Sequence, residues 1–200
     1  MATLLLLLPS SALAEYFGLA NGFASHSTEQ TSVGVELGYS EGDFISLSYR
    51  HVGVRVGVSL SSKWNLHADF GSTELGRSKG QAYGLGLLYR TAFRPFNGAP
   101  VALKLSYHRA QTSQTGFQDY EPDVVSMESI MGAYSGFLGF EPLGWYTTVG
   151  VHRFSDREGS VSELGVGGGL LSPLFSGDIY LGLDFIDELQ WGFGYRHYVY

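Results

Sequence analysis

Large apolar residues recur at every second position along most of the chain. Val33, Val35, Leu37 and Tyr39 alternate with Gly34, Glu36, Gly38 and Ser40. Trp64, Leu66, Ala68 and Phe70 alternate with Asn65, His67, Asp69 and Gly71. The same rhythm runs through 83–89, 101–107 and 179–185. A period of two marks a strand with one apolar and one polar face. Residues 126–139 hold short apolar clusters, but Gly132, Gly136 and Gly139 argue against a helix there. The pattern predicts strands over 15–25, 31–40, 44–50, 52–60, 63–72, 81–90, 100–109, 126–139, 145–154, 161–171, 178–186 and 189–200. One stretch breaks the rhythm. Ile45, Leu47 and Tyr49 share a face, and Val52, Val54, Val56 and Val58 take the opposite parity. A tight turn between Arg50 and His51 gives twelve strands. A bulge there makes one longer strand and leads to ten.

Two architectures produce such alternation. A soluble sandwich turns the apolar face inward. A membrane barrel turns it outward to lipid and lines its lumen with small and polar residues. The weak-side positions here are rich in Gly and Ser, and Gly reaches 28 of 200 residues. Aromatics sit at strand ends, where interface girdles are found: Tyr16, Phe17, Tyr39, Tyr49, Trp64, Phe70, Tyr89, Tyr107, Trp145 and Phe154. Connections alternate in length, short at 41–43, 61–63 and 140–144 and longer at 72–80, 110–125 and 155–160. Residues 91–99 make one long link on the short-turn side. The expectation is an all-β, closed antiparallel transmembrane barrel of twelve strands, with ten and then eight as the alternative counts. An even count puts both termini on the periplasmic side.

The first residues read differently. Leu4 to Leu8 is an unbroken apolar run followed by Pro9, Ser10, Ser11, Ala12, Leu13 and Ala14. A short apolar run ending in small, any, small residues is the pattern of a secretory signal, here cut after Ala14. Such a run is too short to span a bilayer as a helix. No Lys or Arg precedes Arg50, so the positive start of the signal is expected upstream of Met1. The domains are then a signal peptide at 1–14 and a barrel at 15–200. Net charge is −7, which argues against nucleic acid as a partner. Cysteine is absent, which removes disulfides, thiol nucleophiles and thiolate metal sites together.

The last residues, 189–200, read Leu-Gln-Trp-Gly-Phe-Gly-Tyr-Arg-His-Tyr-Val-Tyr. This segment resembles the closing strand of bacterial outer-membrane β-barrels, which end on an aromatic residue with another two positions earlier; Tyr200 and Tyr198 match. The resemblance implies the bacterial outer membrane as location and outer-membrane lipid as surroundings. It also implies recognition of Tyr198 and Tyr200 as an assembly signal by periplasmic chaperones and the barrel-assembly machinery. Parity departs from the family pattern. Trp191, Phe193 and Tyr195 share one face, Tyr198 and Tyr200 the other, and a bulge near Arg196 would reconcile them.

Parity assigns the lumen Glu36, Arg50, Arg55, His67, Asp69, Arg90, Lys104, His108, Glu163, Asp184 and Arg196. Cations and carboxylates are nearly balanced in this set, which predicts ion pairs bracing the interior, because an unpaired buried charge costs several kcal/mol. The alternative use of the same residues is a polar path for a small solute. His67 and Asp69, two apart on one strand face, are the closest approach to a catalytic pair. Ser46, Ser48 and Ser106 are the nearby inward hydroxyls. Known outer-membrane lipid hydrolases carry His-x-Ser on a strand. Here the residues two after each histidine are Thr28, Gly53, Asp69, Ala110, Phe154 and Val199, so none matches. His26, His51, His108, His152 and His197 show no spacing that builds a metal site.

The loop 110–125 carries Asp119, Glu121 and Asp123 with Phe117 and Tyr120, a candidate contact surface. A cation there would need six or more oxygens. The Gly165-Val166-Gly167-Gly168-Gly169 run lacks the Lys-Ser/Thr of a phosphate loop and reads as room for the lumen or a strand bend. The reading is a non-enzymatic barrel, structural or small-solute channel in type, with no cofactor and no metal. A lipid hydrolase on His67 and Asp69 and a surface interaction protein working through loop 110–125 are the alternatives. Oligomeric state is left open.

Overall fold

Period-two segments pair edge to edge until no edge is left. The computed structural model describes residues 33–44, 47–96, 98–113, 119–133, 143–186 and 188–199. They form ten antiparallel strands. These are β1 (Val33–Phe44), β2 (Leu47–Ser59), β3 (Trp64–Leu75), β4 (Ser78–Arg90) and β5 (Val101–Ser113). They continue as β6 (Asp123–Ala133), β7 (Gly144–Ser155), β8 (Ser160–Leu174), β9 (Gly177–Ile186) and β10 (Glu188–Val199). Each strand pairs with its chain neighbour, and β1 pairs with β10, which closes the barrel. Closure leaves no strand without a neighbour on either side, the condition for crossing lipid with strands.

The count is ten, not twelve. The stretch 44–60 supplies one strand, β2, after the last residue of β1, rather than two, because β2 runs unbroken through Arg50 and His51 with no turn and no bulge. Residues 41–43, expected as a connection, belong to β1. The expected strand 15–25, the signal segment 1–14, Tyr16, Phe17 and His26 lie outside the described residues. The 72–80 link shrinks to the turn Gly76 and Arg77, where Gly76 takes a φ of 57°. Glycine fits that left-handed position without steric cost.

Both descriptions of a face are visible in the burial. In β3 the pattern is exposed and buried in strict alternation from Trp64 to Glu74's neighbour Thr73. Apolar residues hold the outside: Leu37, Val52, Phe70, Leu85, Leu105, Val149, Val166 and Leu183 are all exposed. An exposed apolar band round a whole barrel is the surface a bilayer covers. Aromatics edge it toward both ends. Trp64 packs on Tyr89 with ring centres 4.6 Å apart, near the end that carries Val33 and Val199. Tyr39 packs on Trp191 and Phe193, at 5.5 Å each, nearer the other end. We call these the terminal and distal ends.

Inside, bulky side chains lie flat against glycines of the neighbouring strand. His67 is opposite Gly86, His108 opposite Gly84 and Tyr146 opposite Gly169 in the register. A Cβ added to any of these glycines would run into that ring. The glycines of the inward face are therefore the seats of its large residues, and those residues fill space in an interior somewhat wider than the roughly eight-strand barrel that side chains just fill.

Candidate functional site: the barrel interior

One row of the strand register carries the charge. Arg196 stands opposite Glu36, Glu36 opposite Arg55, Arg55 opposite Asp69, Asp69 opposite Gly84, and Gly84 opposite His108. All share inward parity, so the row becomes a ribbon of alternating sign across the interior. Arg196 Nε lies 3.7 Å from Glu36 Oε2, and Arg55 NH1 lies 3.9 Å from Glu36 Oε1. Arg55 Nε donates to Asp69 Oδ1 at 2.5 Å, and its NH2 donates to Oδ2 at 3.2 Å. That two-point grip is the strong form of an arginine–carboxylate pair. Gly84 leaves the space through which the His108 ring reaches Asp69, with Nε2 at 2.6 Å from Oδ2. The Tyr180 hydroxyl donates to Glu36 at 2.5 Å. A second pair, Lys104 and Glu128, closes at 2.8 Å.

These groups are sealed from water. Glu36, His108 and Arg196 are 0% exposed, Arg55 1% and Lys104 2%. Above them, at the distal end, the inward residues turn apolar. Tyr49, Leu75, Ala82, Ala110, Val124, Phe154 and Ile186 form one buried cluster, with Tyr120 and Val161 packed on it. Tyr120 reaches it from the connection after β5. Its backbone bridges to Thr112 in both directions, at 2.9 and 3.0 Å, and Ala110 N–H donates to the Pro122 carbonyl. Its hydroxyl donates to Asp156 on the next distal connection at 3.3 Å. The segment 119–122 thus continues the β5–β6 ladder in the wall, in the register that pairs Arg109 with Asp123, with Tyr120 packed on the cluster. Below the ribbon, Tyr146, Leu171 and Tyr180 pack together.

Of the residues assigned to the lumen, Glu36, Arg55, His67, Asp69, Lys104, His108, Asp184 and Arg196 are buried inside. Arg90 and Glu163 keep inward parity but stand half-buried, Arg90 at the terminal rim, where it donates to the Ser62 carbonyl. Arg50 does not face the lumen. β2 holds Tyr49 and His51 inward, so Arg50 points out, near Glu41 and Glu74 at 3.5 and 3.7 Å. Tyr49 and Phe154, expected in an aromatic girdle, face inward into the distal cluster.

Tyr198 is half-buried on the inward side, with its hydroxyl on Asp178 and receiving a bond from Arg196 at 3.1 Å. The register beside it is continuous, with no bulge near Arg196. Tyr200 lies outside the described residues.

The His67 and Asp69 pair has the shared face expected of it. However, Asp69 is gripped by Arg55 and His108, and the His67 ring lies against Gly86. Both are buried at 3% and 4%, out of reach of a lipid carbonyl at the outer surface. Ser106 is buried inward, Ser48 is exposed, and Ser46 lies outside the described residues. In the loop 110–125, β5 extends to Ser113, Glu121 is taken by Arg109 at 2.7 Å, and Asp123 begins β6. Phe117 lies outside the described residues. Among the described residues no three His, Cys, Asp or Glu gather as a metal site.

Glu128, His51, His152, Tyr146 and Tyr180 are interior residues that the polar inventory missed. Parity alone would have found Glu128, which shares its face with Ser126 and Ile130.

The fold defines the class: a closed antiparallel barrel of the outer-membrane type. The chain is similar to the beta domain of the Bordetella autotransporter BrkA, with a TM-score of 0.50, 12% identity, and coverage of 84% of this chain and 99% of that one. The translocator domain of the autotransporter NalP from Neisseria meningitidis aligns at TM-score 0.41 and 12% identity, covering 87% and 90%. The KdgM porin aligns at 0.37 and 9%, covering 84% and 99%. No family model and no curated protein matches the sequence.

Proposed function

We propose that this protein is a closed, non-enzymatic barrel of the bacterial outer membrane that serves as a structural element rather than an open channel. The observation that carries the reading is the interior. A ribbon of ion-paired side chains, almost wholly cut off from water, lies beneath a distal apolar cluster against which Tyr120 packs from the wall. Solute conduction needs continuous water, and these paired groups present almost no surface to it. The apolar outer face supports lipid as the surrounding medium. Delivery by periplasmic chaperones and insertion by the barrel-assembly machinery belong to the same proposal, with the distal end facing the cell exterior.

The test is single-channel recording in planar bilayers with protein that shows the heat-dependent gel shift of a folded barrel. The expected record has no steady conductance steps at moderate voltage. Regular, reproducible steps from the unmodified protein would sink the closed reading and return the interior to a solute path.

A further inference from the structure

We infer that Asp184 and the polar groups beside it hold a monovalent alkali cation inside the barrel, on the side formed by β7 to β10. The inference rests on the closed interior proposed above. Charge carries the first step. Among the described residues five carboxylates are buried inside, Glu36, Asp69, Glu128, Asp178 and Asp184, against three arginine or lysine cations, Arg55, Lys104 and Arg196. Four of the carboxylates are provided for. Glu36 lies between Arg55 and Arg196, Asp69 takes Arg55 and His108, and Glu128 takes Lys104. Asp178 accepts from the Tyr198 hydroxyl, which itself accepts from Arg196. Asp184 has only Thr148, whose hydroxyl donates to Oδ1 at a long 3.4 Å. Among the described residues no basic side chain stands within ion-pairing distance of it, and the charges that act on it, Glu128 and Lys104, already hold each other at 2.8 Å. A carboxylate cut off from water without a counter-charge is costly. A cation or a proton therefore has to sit with it.

The neighbours of Asp184 favour the cation. A proton needs nothing further, whereas an ion needs several oxygens, and polar groups with bonding capacity to spare occupy the adjoining inward positions. Gln190 stands directly opposite Asp184 in the register, and Thr148 stands one strand further on, behind Gly167. Gln190 is buried and its Nε2 has no acceptor; with the amide turned over, Oε1 faces the same place. Tyr146, two residues before Thr148 on the same face of β7, is buried with its hydroxyl unpartnered. Gly167 keeps the space open between them. A Cβ there would run into Asp184 Oδ1 and stand 2.8 Å from Thr148 Oγ1. Carboxylate, hydroxyl, phenol and amide oxygens are hard donors, which suit hard cations and not soft metals. A single carboxylate balances a single charge, and that selects a monovalent ion.

The experiment uses the full chain folded into phospholipid vesicles in mildly alkaline buffer. Sodium chloride replaces N-methylglucamine chloride stepwise at constant ionic strength. The readout is the temperature at which the folded band is lost from the gel. The expected midpoint rises by several degrees with sodium and then saturates, because an ion that binds only the folded barrel stabilises it by mass action. Asp184→Asn should melt at one temperature throughout, no lower than the parent without sodium. Tyr146→Phe and Thr148→Val keep the carboxylate, and each should raise the sodium concentration for half the shift several-fold. These two carry the test if Asp184→Asn does not fold, and unchanged half-saturation in both then overturns the site. A parent midpoint that ignores sodium means that Asp184 carries a proton, and the proposal falls. A sodium shift that survives Asp184→Asn puts the ion elsewhere and is equally fatal. Regular conductance steps would overturn the closed interior itself; a flat titration with a silent bilayer overturns this site alone.

Discussion

The middle and the distal part of this interior are built from the same strands and the same parity, yet opposite chemistry. In the middle, Glu36, Arg55, Asp69 and His108 turn inward as a paired ribbon. A few residues along the same strands, Tyr49, Leu75, Ala110 and Phe154 turn inward as an apolar layer. The contrast teaches that the inside of a narrow barrel is not uniformly polar. The charges of the ribbon are buried together with partners of opposite sign, and the apolar layer lies between them and the distal water. The two layers depend on each other, and their separation can be tested from the ribbon outward.

Arg55 is the largest lever. Arg55→Met removes the cation shared by Glu36 and Asp69 and leaves carboxylates buried. Breaking a buried pair on one side costs about 3–5 kcal/mol, and that loss should appear in urea unfolding from phospholipid vesicles. Adding Asp69→Asn should recover part of it, because the stranded charge is gone. A single variant as stable as the parent would mean that water already enters the ribbon.

A smaller effect is expected at an inward glycine of β3. At Gly71 a Cβ would meet the Val52 carbonyl and lie 2.6 Å from both Gly53 Cα and the His51 ring. Gly71→Val forces the backbone to shift, and overpacking of this kind costs about 1–3 kcal/mol. Gly159→Val, at a position with open space around it, is the control and should unfold with the parent.

Most of the wall was legible from period two alone, because a strand in lipid has to alternate. The interior was legible only in part. Parity placed Glu36, Arg55, Asp69 and Arg196 on one face, and the register then set them in one row, which no single strand reveals. The distal layer was misread for a physical reason. Ile45, Leu47 and Tyr49 against Val52 and Val54 look like a break if apolar residues are assumed to face lipid. Among the described residues of β2 parity never changes, and Tyr49 faces the distal cluster. The same assumption put Phe154 in a girdle. It also demanded a bulge before Tyr198, whose aromatic ring faces inward and uses its hydroxyl on Asp178.

Tyr120 tests the distal layer by itself. Tyr120→Ala removes the ring's contact with the cluster and its bond to Asp156. The stability change should be small, about 1 kcal/mol for the lost hydrogen bond. The readout that matters is electrical: brief, irregular openings in planar bilayers that the parent lacks. If Tyr120→Ala stays as silent as the parent while Phe154→Ala leaks, the strand residues close the distal end and Tyr120 is incidental.

The smallest effect is expected at the arginine nearest to Arg55 on the same strand. Arg50 also has two carboxylates within 4 Å, Glu41 and Glu74, so a count of ion pairs would rank it with Arg55. Its side chain is 53% exposed on the outer wall toward the distal end, where water and salt compete for both partners. Exposed pairs of this geometry often contribute nothing measurable. Arg50→Gln should therefore leave the urea midpoint where it is, at low and at high salt alike. A loss that approaches that of Arg55→Met would mean Arg50 turns inward in the membrane. The parity of β2, and with it the assignment of the two layers, would then have to be redrawn.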